Sequence, residues 1–175
     1  MSEELVLGID PGYARLGWAV VSKENGKFQL HGMGCILTSK KESLLARYRK
    51  IQQEFRIILR RYQPTQASME TLFFQKNQTT ALQVSEVRGL LFGELFHADI
   101  QVSQYGPSQV KLAVAGSGRA DKTAMMKMVG LQLSGISPEL KSQLNESLDD
   151  TFDAVAIGMT HLILEPLQSA KSTRR

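Results

Sequence analysis

Apolar positions along the chain recur at two different spacings, and the changes of spacing mark out its elements. Leu5 to Ile9 is a short apolar run ending at Asp10-Pro11-Gly12, and Gly17 to Ser22 resumes as a second run, which predicts strand, turn, strand. Asn25-Gly26 is a hairpin-turn signal, so Lys27 to Leu37 reads as a third strand, with Gly32 and Gly34 as expected irregularities. From Ser43 to Tyr62 the residues Leu44, Tyr48, Ile51, Phe55, Ile58 and Tyr62 step by four and three, the stripe of a long amphipathic helix that Pro64 ends. Gln66 to Glu70 predicts a fourth strand, Gln78 to His97 a second helix, and Ile100 to Tyr105 a fifth strand. Further helices are predicted from Ser108 to Ala115, from Asp121 to Leu133 and from Asp150 to Leu164, with Pro166 closing the last.

The resulting order is βββαβαβα. Three strands in a row form an antiparallel meander, and the strands that follow need helical crossovers and so run parallel. This is an α/β fold, a five-stranded mixed sheet flanked by helices. At 175 residues the chain suits one domain, taken as 1–166, with 167–175 as a basic, flexible tail. Hydrophobic residues at 42% and charged residues at 22% support a real core and exclude a fibrous or disordered chain. The lone Cys35 excludes an internal disulfide and a cysteine-based zinc cluster, and no apolar run reaches membrane-spanning length. With an acidic start unlike a secretion signal, the expected location is the cytoplasm.

Acidic residues then change the picture. Asp10 and Glu70 each directly follow an apolar strand, where a charge is costly unless it is paired, hydrogen-bonded or bound to a cation. The last helix opens with Asp149, Asp150 and Asp153, and its apolar run Ala154-Val155-Ala156-Ile157 must dock on the sheet and carry those acids inward. Carboxylate oxygens without cysteine or paired histidine are the ligand set of hard cations such as Mg²⁺ or Mn²⁺. Four carboxylates balance two divalent ions, after which a phosphodiester is attracted rather than repelled, the arrangement of a two-metal phosphoryl-transfer site. The alternative is local: Asp10 serving the turn and Asp149 or Asp150 capping the helix.

The net charge of +4 permits a polyanionic partner, and its distribution says more than its size. Phe73 and Phe74 with Lys76 occupy the loop after Glu70, where an exposed ring could stack on an unpaired base or simply pack the loop down. Gly116 to Lys122, with Arg119 and Lys122, is a glycine-rich loop opening a helix, a setting for phosphate contacts. Residues 41–62 hold seven Lys or Arg and two Glu, a pattern more typical of a solvated helix face than of a binding surface. Gly89 and Gly93, four apart on the second helix, call for close packing, either on the sheet or against another subunit. His161 reads as packed or hydrogen-bonded, and Trp18 and Met125, Met126 and Met128 as core.

Leu7-Gly8-Ile9-Asp10-Pro11-Gly12, Gly17-Trp18-Ala19-Val20, Met69-Glu70-Thr71-Leu72-Phe73, Gln109-Val110-Lys111, the Gly116–Lys122 loop and Asp150-Thr151-Phe152-Asp153-Ala154-Val155-Ala156-Ile157 with His161 closely resemble the RuvC family of bacterial Holliday junction resolvases. The resemblance spans residues 5–165 in order and spacing. It implies a ribonuclease-H-like fold and a homodimeric, Mg²⁺-dependent endonuclease that resolves four-way DNA junctions by paired symmetric nicks, leaving 5′-phosphate and 3′-hydroxyl ends. By position it implies Asp10, Glu70, Asp150 and Asp153 as ligands of two Mg²⁺ per subunit, with Mn²⁺ as a substitute. It likewise implies Phe73, Lys76, Lys111, Arg119 and Lys122 as DNA contacts, and branch-migration partners of the RuvA and RuvB type. Asp149 departs from the pattern by placing a second acid beside Asp150, and Phe152 is bulkier than the pattern suggests. Two alternatives stand beside it: a catalytically silent junction-binding protein, and an actin-like phosphate-binding ATPase, which the single-lobe length disfavours.

Overall fold

The structure, a computed structural model, describes residues 4–71, 78–134 and 149–172. Its elements are β1 (Val6–Asp10), β2 (Arg15–Glu24), β3 (Lys27–Leu37), α1 (Leu44–Tyr62), β4 (Gln66–Glu70), α2 (Gln78–His97), β5 (Gln101–Tyr105), α3 (Pro107–Ala115), α4 (Lys122–Gln132) and α5 (Asp149–Ser172). The sheet order is β3-β2-β1-β4-β5. β1 pairs antiparallel with β2 and β2 with β3, whereas β1–β4 and β4–β5 are parallel. The predicted meander and mixed sheet are therefore both present. The irregularity expected near Gly32 is a bulge: Val20 pairs with Gly32 and Val21 with Leu30, so His31 is the extra residue.

Alternation along the strands sorts their residues between two layers of helix. Leu7 and Ile9 of β1, Leu16 and Val20 of β2, and Ala67 and Met69 of β4 face α1 and α2, where Ile51, Phe55, Val87, Leu91 and Leu95 complete one buried cluster. Val6, Ala19 and Val21 belong to the opposite cluster, formed with α3, α4 and the buried stretch of α5. Asp10 stands in step with Val6 and Gly8, and Glu70 with Gln66 and Ser68. The two-residue period thus puts both acids on the α5 side.

α5 lies unusually close to the sheet because glycines let it. A Cβ added to Gly8 would sit 2.1 Å from the Ala154 carbonyl oxygen, and one added to Gly17 only 1.9 Å from that of Asp150. Polar contacts hold the same helix down: Ser68 Oγ donates to the Ile157 carbonyl at 3.2 Å, and Tyr105 Oη bonds His161 Nδ1 at 2.9 Å. His161 Nε2 meets Gln66 Oε1, so this fully buried ring, whose pKa burial lowers, ties α5 to β4 and β5 as a neutral imidazole.

The helix ends follow local chemistry. The Ser43 side chain accepts from Ala46 N–H at 3.3 Å, and Gln63 ends α1 in the left-handed region ahead of Pro64. Asp121 caps α4 by accepting from Ala124 N–H at 2.8 Å. The stop expected at Pro166 is overturned, since α5 runs on to Ser172. A helical proline forfeits its own N–H bond at about 3 kcal/mol, and a helix clamped by more than two buried turns before it can bear that loss. Trp18 is half-buried rather than core, its ring 5.6 Å from that of Tyr62, and Met126 is 45% exposed although Met125 is buried.

Candidate active site

Asp10 and Glu70 end adjacent parallel strands whose register matches Ile9 with Met69, so the two carboxylates emerge side by side. The close approach of α5 at Gly17 brings Asp150 and Asp153 to the same end of the sheet. The electrostatics register this convergence. Burial, then the charges of Glu70, Asp153 and Asp150, raise the Asp10 pKa from 3.8 to about 8, against a smaller pull from Arg15. Burial and Asp153 raise that of Glu70. Burial, Asp149 and Asp150 raise that of Asp153, opposed by Lys122 and Lys111.

The two acids at the helix start divide. Asp149 is exposed and paired with Lys122, which keeps its carboxylate below the usual range. Asp150 is mostly covered, with 19% of its side chain exposed, and its Oδ2 lies 3.0 Å from Arg15 Nε. That contact is an ion pair without hydrogen-bond alignment, for Asp150 Oδ2 is buried and makes no hydrogen bond. Both acids act on Asp153, but only Asp150 acts on Asp10, whereas Asp149 lines the adjoining cleft.

That cleft, of about 330 Å³, is lined by the acids Glu70, Asp149 and Asp153 together with the bases Lys111 and Lys122. Of the basic residues singled out in the sequence, Lys111 and Lys122 thus line the same cleft as Glu70 and Asp153. Arg119 lies exposed in the loop between α3 and α4 and is not among the residues lining the cleft. Phe73 and Lys76 lie outside the described residues.

The all-oxygen donor set fits a hard divalent cation, and the raised Asp10 and Glu70 values mark a cluster short of positive charge. Among the described residues no three such side chains close into a ready-made cage. At the start of α5, Asp150 is turned toward Arg15 and Asp149 toward Lys122.

Three arginines around the site escaped the sequence reading. Arg15 is one. Arg88, buried on α2, donates to the Glu70 backbone carbonyl and to Gln104 Oε1 at 2.5 Å, pinning the ends of β4 and β5 together. Arg47, buried on α1, donates to Thr38 Oγ1 at 2.8 Å and to the Tyr13 carbonyl at 3.1 Å, and stacks 4.4 Å from the Tyr13 ring, which fixes the turn after Asp10. Arg47 was hidden within the basic run 41–62. Arg15 had one usable signal, for it stands two residues before Gly17, the antiparallel partner of Asp10.

A five-stranded mixed sheet of order β3-β2-β1-β4-β5, crossed by a last helix whose start meets carboxylates at the ends of β1 and β4, is the architecture of the ribonuclease-H-like class. The fold agrees: the yeast mitochondrial Holliday junction resolvase Ydc2 superposes with a TM-score of 0.73 at 16% identity, covering 98% of this chain and 82% of its own. The family model "Crossover junction endodeoxyribonuclease RuvC" matches residues 6–161, and the chain belongs to the RuvC family. A RuvC from Roseiflexus sp. (strain RS-1) is 40% identical over 167 residues, 95% of each chain. T. thermophilus RuvC, solved in complex with Holliday junction substrate, has a TM-score of 0.83 at 31% identity, covering 95% of this chain and 97% of its own.

Proposed function

We propose that this chain is a divalent-metal-dependent endodeoxyribonuclease that cuts four-way DNA junctions by paired symmetric nicks. The observation that carries the proposal is the convergence of Asp10, Glu70, Asp150 and Asp153, with the Asp10 pKa driven to about 8 by burial and by its neighbours. RuvC-family membership supplies the junction as the substrate.

Asp10 and Glu70 would hold the cations from the sheet and Asp153 and Asp150 from α5, with two Mg²⁺ per subunit or Mn²⁺ in their place. Asp150 is preferred to Asp149 because it is the covered carboxylate that acts on Asp10, while Asp149 is exposed and held by Lys122. When bound, the ions supply an activated water and stabilise the leaving 3′ oxygen, giving 5′-phosphate and 3′-hydroxyl ends. Lys111 and Lys122 draw the phosphate backbone into the cleft and align it beside Asp153. Arg88 keeps the Glu70 backbone fixed, and Arg47 does the same for the turn after Asp10. Arg119 takes a more distant phosphate, and Phe73 and Lys76 approach the junction point.

Paired nicks on equivalent strands need a twofold enzyme. On α2 an added Cβ at Gly89 or Gly93 meets nothing within 4 Å, so neither glycine serves packing against the described residues of its own subunit. Leu82 and Phe96, each 66% exposed, fall on the same face at seven-residue spacing from Gly89, a surface suited to the α2 of a second copy. Branch-migration proteins of the RuvA and RuvB type would deliver the junction. Among the described residues no helix is long and apolar enough to cross a membrane, and the cytoplasm is the proposed place of action.

The test is a nicking assay on a synthetic four-way junction in Mg²⁺. The wild-type chain should make symmetric nicks, and Asp10→Asn should bind the junction without cutting it. Binding without cleavage by the wild type would point to a silent junction-binding protein, and equal cleavage of plain duplex to a general nuclease.

A further inference from the structure

Arg15 opens β2 on the face that α5 covers, in step with Gly17, Ala19 and Val21. Its side chain is 52% exposed, yet its Nε reaches to 3.0 Å from Asp150 Oδ2. The pairing is lopsided. The carboxylate oxygen is buried and makes no hydrogen bond, while about half of the Arg15 side chain stays in solvent. A carboxylate held by charge alone is given up more readily than one fixed by aligned N–H bonds.

We propose that Arg15 is an exchangeable counter-ion: it neutralises Asp150 until a divalent cation loads, yields the carboxylate to that cation, and turns its guanidinium to a non-bridging oxygen of the scissile phosphate. This rests on the metal-dependent reading given above. The exchange follows from charge and place. A cation approaching Asp150 meets a fixed positive charge a few ångströms away, which opposes loading. Once displaced, the guanidinium stands beside the cluster where a phosphodiester must arrive, and its planar fork suits phosphate oxygens better than an ammonium does. Lys111 and Lys122, on α3 and α4, act on Asp153, whereas Arg15 on β2 pairs with Asp150 and acts on Asp10, so it supplies positive charge to a different pair of the acids.

Mn²⁺ binding to the full chain without DNA, followed by calorimetry and by the electron paramagnetic resonance of free Mn²⁺, tests the first half. Arg15→Gln should bind Mn²⁺ about three- to tenfold more tightly at low salt, and Arg15→Lys, which keeps the charge, should stay near the wild type. Single-turnover junction cleavage at saturating Mn²⁺ tests the second half, where Arg15→Gln should be slower by about ten- to a hundredfold. Unchanged or weaker Mn²⁺ affinity in Arg15→Gln overturns the counter-ion role. Tighter binding with an undiminished cleavage rate overturns the transfer to phosphate. A wild-type chain that binds no Mn²⁺ at all refutes the metal-dependent reading instead, a result distinct from both.

Discussion

Asp10→Asn should make the metal-free protein more stable while abolishing its cleavage. The Asp10 carboxyl is displaced from 3.8 to about 8, chiefly by burial and then by the charges of Glu70, Asp153 and Asp150. A carboxyl whose pKa is raised on folding contributes its full stability below pH 3.8, and that contribution is lost as pH rises toward 8. At about 1.4 kcal/mol per pH unit, keeping Asp10 ready to ionise costs the fold about 5 kcal/mol at pH 7.5. Neighbouring carboxylates and water relax when the charge is removed, so the measurable gain is smaller, about 2 kcal/mol, or about 4–8 °C in Tm for a chain of this size. The assay is thermal unfolding in EDTA from pH 5 to pH 8.5. The advantage of Asp10→Asn should shrink toward pH 5 and widen toward pH 8, and Mn²⁺ should raise the Tm of the wild type by more than that of the variant. An Asp10→Asn protein that melts at or below the wild-type temperature at pH 8 in EDTA would falsify the claim that burial and the neighbouring carboxylates penalise the Asp10 charge.

Gly17→Ala should destabilise the protein by about 3 kcal/mol in denaturant titration, because its Cβ would meet the Asp150 carbonyl at 1.9 Å and push away the helix start that carries two of the acids. A loss under 1 kcal/mol would mean that α5 is not tightly seated there. Lys111→Ala and Lys122→Ala should each reduce the slope of log binding constant against log salt for junction DNA by about 1, with little change in folding. An unchanged slope would remove that lysine from the DNA interface. Gly93→Glu, placed where nothing lies within 4 Å, should fold normally yet sediment as a monomer under conditions where the wild type is a dimer. A dimeric Gly93→Glu would move the twofold interface off α2.

Much of the fold was legible because each element carries its own local signal. The stripe from Leu44 to Tyr62 forms α1, the Asn25-Gly26 turn separates β2 from β3, and the alternating strand and helix patterns after residue 62 give β4, α2 and β5 within a residue or so. Pro166 misled because a proline's local cost does not reveal how firmly the turns before it are held. Of the acids, Asp10 and Glu70 announced themselves by following apolar strands, a placement that asks for compensation whatever the fold. The basic residues behaved otherwise. Within the run 41–62, Arg47 turns out to be a buried clamp on Tyr13 and Arg56 an ion-pair partner of Glu94, roles that no spacing rule exposes.

By itself, the order of residues determined which segments become strand or helix and which acids lie at their ends, since periodicity, turn chemistry and capping act over a few neighbouring positions. Only the tertiary structure decided that Arg15 meets Asp150, that Lys122 holds Asp149 and that Arg88 grips the end of β4. Those partners are separated by up to 135 positions in the chain for Arg15 and Asp150. The first two meetings depend on how closely glycines let α5 approach the sheet, and the third on how α2 packs across β4 and β5, consequences of packing rather than of local preference.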